Sequence, residues 1–99
     1  MDKVIKLLNS EKQHLEQKIS SYIDEIETAK AANKDLQSPE FIERNKDHEC
    51  WSEDWTIQDF IELNTNSNNR AIDSYSKSLA EEKYYLSQIE RALKILEGK

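Results

Sequence analysis

The sequence predicts an all-α fold, an antiparallel helical hairpin of coiled-coil type with two short helices in the connection. Three observations carry this. The 99 residues include one glycine and one proline, too few for the tight turns that sheets require. Apolar residues recur at alternating spacings of four and three at both ends of the chain. Hydrophobic residues make up 36% and charged residues 34%, a balance that suits thin helical packing with much exposed surface rather than a large core.

The first seam is Met1, Ile5, Leu8, Lys12, Leu15, Ile19, Tyr22, Ile26, Ala29, Asn33 and Leu36. Isoleucine falls at a positions and leucine at d, the pattern of a coiled-coil stripe. A helix over about 2–36 follows, about 50 Å long at ~1.5 Å per residue. A lone helix of this polarity is marginal in water, so it needs a partner. The last part of the chain supplies one, a helix over about 70–97 with Ile72, Tyr75, Leu79, Glu82, Leu86, Ile89, Leu93 and Leu96 on one stripe and Gly98 just past its end.

Each seam carries one charge of opposite sign, Lys12 and Glu82. A buried unpaired charge costs several kcal/mol, whereas a pair mainly selects a register. An antiparallel register that pairs them sets Ile5 by Ile89, Leu8 by Leu86, Leu15 by Leu79, Ile19 by Tyr75 and Tyr22 by Ile72. A parallel homodimer through the first helix would set Lys12 against its own copy, which disfavours it. A seam this thin is still open to completion by a second chain, as a homodimer or higher oligomer. Asn33, polar at an a position, is a further register device.

Between the long helices, Ser38 caps, Pro39 starts and Glu40 complements the dipole of a short helix over about 39–46. By the same logic Ser52 caps a second one over about 53–63, whose Ile57, Phe60 and Ile61 share a face that covers the hairpin end. "NTNSNN" at 64–69 reads as a polar loop. The whole is expected to be a single helical domain, 1–99.

The net charge of −6 is not diffuse. Residues 47–69 hold Asp47, Glu49, Glu53, Asp54, Asp59 and Glu62 with no Lys or Arg, while the flanking parts nearly cancel. Trp51 and Trp55 fall in the same stretch, and helical spacing puts Trp55 with Asp59 and Glu62, away from the apolar face. Aromatic anchors ringed by steering charge are what a surface for a basic protein needs. The leading expectation is a non-enzymatic protein-binding module or small inhibitor that uses Asp47, Glu49, Trp51, Glu53, Asp54, Trp55, Asp59 and Glu62 against a basic partner. An inert acidic corner is the plainer reading of the same residues, and burial in the core the plainer reading of both tryptophans.

Other chemistry is disfavoured. His48 and Cys50 are metal-ligand types, but zinc sites need about four ligands in recognised pairs, and the other histidine is distant at position 14. A calcium loop would need a central glycine. Cys50 has carboxylates around it, in a stretch from 47 to 69 with no Lys or Arg, a setting that blunts a cysteine as a nucleophile. There is no phosphate loop or dinucleotide fingerprint, so no enzyme, metal or cofactor is expected. The acidic field opposes direct nucleic-acid binding. No apolar run exceeds three residues, so neither a membrane span nor a signal-peptide core is expected, and a single cysteine fits the cytoplasm. Two alternatives remain. Arg70, Lys77, Tyr84 and Arg91 recur every seven residues on the outer face of the last helix, a basic stripe that oligomerised copies could close over a small anion or nucleotide. The chain could also be a structural coiled-coil adaptor.

Overall fold

The computed structural model describes residues 2–98. It is all-helical and, among the described residues, holds three helices: α1 (Asp2–Leu36), α2 (Pro39–Asn45) and α3 (Ile57–Leu96). No helix is long and apolar enough to cross a membrane. Met1, first in the predicted seam, lies outside the described residues.

The long helices pack together along the predicted stripes. Every position of the α1 seam from Ile5 to Leu36 is buried or half-buried, and every other described residue of α1 is exposed. All eight predicted seam positions of α3 are likewise at least partly covered. The core is thin: Leu15, Ile26, Leu36 and Leu93 are the buried residues among those described.

The chain divides into two compact units, 1–24 with 75–99 and 25–74. In the first, the Lys18 ammonium meets a Glu82 carboxylate oxygen at 3.9 Å, and the Tyr22 and Tyr75 rings lie 6.0 Å apart. Numbers fall on α3 as they rise on α1, so the helices run antiparallel there. The register differs from the expected one. Glu82 pairs with Lys18, six residues beyond Lys12, and Tyr22 meets Tyr75 instead of Ile72. Lys12 instead lines an open groove with Asn9, Glu90, Leu93, Lys94 and Glu97. The cost of a buried charge that favours a Lys12 pairing is largely absent, because Lys12 is only half-buried and lines an open groove.

In the second unit, Asn33 is satisfied across the seam on both amide atoms. Its Nδ2 donates to Asn69 Oδ1 and its Oδ1 accepts from Asn68 Nδ2, each at 2.9 Å. The expected break at 64–69 is therefore absent. Asn64 Nδ2 donates one turn back to the Phe60 carbonyl at 2.9 Å without interrupting the helix, while the Asn68 and Asn69 side chains are engaged by Asn33 and so do not compete with the helix backbone. The expected separate helices at 53–63 and 70–97 are one continuous α3 that starts at Ile57.

The connection is held by short-range bonds. Ser38 Oγ accepts from the Phe41 N–H at 3.2 Å and donates to the Asp35 carbonyl at 2.7 Å. Arg44 grips both Asp35 oxygens at 3.0 and 3.2 Å, tying α2 to the end of α1. Phe41 stacks on Phe60 with centroids 6.0 Å apart, and Trp51 meets Phe60 edge-on at 5.6 Å. At the far end of α3, Gly98 takes φ 73° and its N–H bonds to the Ile95 carbonyl, the left-handed stop that glycine adopts without strain.

This register predicts a specific coupling. Glu82→Lys should destabilise the fold, and adding Lys18→Glu should recover about 0.5 kcal/mol in a urea double-mutant cycle. The same cycle between positions 12 and 82 should show no coupling.

Candidate functional site

The acidic stretch splits into two environments. The segment from Lys46 to Thr56 is irregular and is pinned by Trp51, whose Nε1–H donates to the Asn45 carbonyl at 2.6 Å. Its ring also takes the His48 imidazole edge-on at 6.4 Å. Trp51 is thus part of the aromatic cluster with Phe41 and Phe60. Asp47, Glu49, Cys50 and Glu53 are exposed around this turn.

Trp55 is placed differently. Ser52 closes a tight turn beneath it, its Oγ accepting from the Trp55 N–H at 3.2 Å, but Ser52 does not cap α3. Thr56 does. Its Oγ1 accepts from the Asp59 N–H at 3.1 Å, while Asp59 Oδ2 accepts from the Thr56 N–H at 2.9 Å and from the Thr56 hydroxyl at 3.0 Å. This reciprocal arrangement is a capping box with Asp in place of the usual Glu or Gln. The Thr56 backbone bond, and then the Thr56 hydroxyl bond, hold the Asp59 carboxyl below the ordinary carboxylate range.

The box turns Trp55 onto the first turns of α3. Trp55, Leu63 and Asn66 line an open depression of about 380 Å³ with Asp54, Asp59 and Glu62. Trp55 is 37% and Leu63 54% exposed, so two apolar side chains face outward among three carboxylates. Of the eight residues expected to form the site, Asp54, Trp55, Asp59 and Glu62 come together here, whereas Asp47, Glu49, Trp51 and Glu53 do not line it. Leu63 and Asn66 were not foreseen. Their spacing from Asp59, four and seven residues, signals one helix face; Leu63 is on it already in a helix over 53–63, whereas Asn66 joins it only if the helix runs on through 64–69.

The other candidates lie along α3. Arg70, Lys77, Tyr84 and Arg91 are all exposed on α3, Arg70 in the second unit and the other three in the first. Tyr84 meets Tyr85 edge-on at 6.1 Å. Among the described residues, no group of three or more His, Cys, Asp or Glu side chains is placed to hold a metal ion.

No protein-family model matches the chain, and neither a curated protein nor a solved structure shows significant similarity to it.

The capping box makes Asp59 titration a readout of α3 initiation. Its folded-state pKa lies below the unfolded one, so its contribution is complete above the ordinary carboxylate value and lost as pH falls through the folded value. An NMR titration should find the Asp59 carboxyl below that value in the wild-type chain and returned toward it in Thr56→Ala.

Proposed function

We propose that the chain is a non-enzymatic binding module, a coiled-coil-like helical hairpin that presents the Trp55 surface to a basic partner protein. The observation that carries this is the depression itself: Trp55 and Leu63 exposed side by side, rimmed by Asp54, Asp59 and Glu62, within a stretch that contains no Lys or Arg from 47 to 69. An aromatic anchor in a shallow apolar patch supplies contact energy. The carboxylate rim supplies steering and selects against acidic partners and nucleic acid.

The partner best suited to this surface carries an apolar side chain flanked by arginines or lysines. Where those bases normally hold phosphates, the three carboxylates would occupy their place, and the chain would act as a small inhibitor of anion or nucleic-acid binding. Cys50 is exposed and unpaired, which favours a reducing compartment, the cytoplasm, as the setting. Asp47, Glu49 and Glu53 extend the acidic field and add to the encounter rate without needing to touch the partner.

The test is affinity capture from native lysate followed by titration of whatever basic protein is captured. Trp55→Ala should weaken binding ~30-fold or more, as truncation of an interface hot spot does. Asp54→Lys with Glu62→Lys should slow association and flatten its salt dependence; these two positions are chosen because Asp59 also holds the cap. Lys77→Glu should change nothing. A partner indifferent to the first two changes and sensitive to Lys77→Glu would transfer the function to the basic stripe.

A further inference from the structure

We propose that two copies of this chain associate through one face of the first unit, the side of the α1–α3 pair that carries Leu7, Glu11, Lys18, Tyr85, Gln88 and Ile95. Glu11, Lys18, Glu82, Tyr85 and Gln88 line a single groove of about 390 Å³ floored by Leu15 and Ile89. Leu7 lies one turn before Glu11 on α1, and Ile95 lies two turns beyond Gln88 on α3, so helical geometry places both on the same side as the groove. Leu7 is 67%, Tyr85 57% and Ile95 71% exposed. The opposite side of the pair is polar by comparison, its groove lined by Asn9, Lys12, Glu90, Lys94 and Glu97 around Leu93.

The occupant is a second copy on two grounds. The first is area. The chain exposes 7571 Å², whereas a folded monomer of 11.7 kDa is expected to expose about 5,900 Å². The excess of about 1,700 Å² is within what each subunit of an obligate homodimer buries, ~1,000 to 2,500 Å². The second is charge. Glu11 and Lys18 lie one heptad apart on this face. The Lys18 side chain, 3.9 Å from Glu82 in its own chain, stays 47% exposed and has donors left for a second carboxylate. A two-fold axis crossing between Glu11 and Lys18 therefore sets Glu11 of each copy against Lys18 of the other, with the α1 helices antiparallel. A two-fold interface must be self-complementary in this way. Tyr85, across the groove from Glu11 and Lys18, then lies near the axis, where the two copies of its ring can meet.

Sedimentation equilibrium over ~10–200 µM tests the proposal with the full chain. The expected mass is twice 11.7 kDa for the wild type. It should fall to the monomer value in Leu7→Asp with Ile95→Asp, with the helical circular-dichroism signal retained because both side chains are exposed in the single chain. Glu11→Lys, which leaves the apolar contacts intact, should weaken the dimer at least ~10-fold by setting like charges together. Ile23→Asp, outside the proposed face, should leave it unchanged. A wild type that remains monomeric throughout overturns the proposal and leaves this face to a different partner. A dimer that survives both the apolar and the charge substitutions also overturns it, by placing the contact elsewhere.

Discussion

Everything in this molecule depends on one stripe of side chains between α1 and α3. Neither long helix would persist alone in water at this polarity. Their mutual cover is slight: Leu15, Ile26, Leu36 and Leu93 are buried, and the rest of the stripe is half-buried. A seam so thin is permissive. It tolerates Lys12, Glu82 and Asn33 at positions that would be apolar in a thicker bundle, because each polar group keeps access to water or to a partner across the interface.

That permissiveness explains where sequence reasoning held and where it failed. The composition of α1 leaves one periodicity, and the ten described seam positions are the ten residues of α1 that are not exposed. Register is a separate matter. Sliding one helix by about a heptad still sets stripe residue against stripe residue in every layer, so the 4,3 pattern alone leaves more than one register open and polar contacts help to decide among them. Matching Lys12 to Glu82 assumed that both were deeply buried. In a thin seam neither has to be, and the deciding contacts are the Asn33 amide with Asn68 and Asn69 and the ion pair of Lys18 with Glu82.

The run Asn64 to Asn69 shows the same limit from another side. Asparagine and serine favour loops because their side chains bond to nearby backbone, and nothing local in "NTNSNN" argues against a break. The helix persists because the Asn68 and Asn69 side chains bond across the seam to a residue 35 and 36 positions away. A break there leaves Asn66 outside any continuous helix face; Leu63, the last residue of the expected 53–63 helix, is on the face by spacing, and these two of the six lining residues are the ones the expected site lacks. The other four, Asp54, Trp55, Asp59 and Glu62, are legible in the sequence, whereas the cap is at Thr56 and not at the expected Ser52, because Asp59 closes the box with Thr56.

The surface and the fold are therefore one account. Continuity of α3 past Asn64 adds Asn66 to the face that Trp55 and Leu63 share, and continuity depends on Asn33 reaching Asn68 and Asn69. Nuclear Overhauser contacts in the native, isotope-labelled chain measure that register directly. Cross-peaks between the Tyr22 and Tyr75 rings, and between the side-chain amides of Asn33 and Asn69, are the predicted result. Contacts that join Lys12 to Glu82, or Tyr22 to Ile72, with none from Asn33 to Asn69, would contradict it.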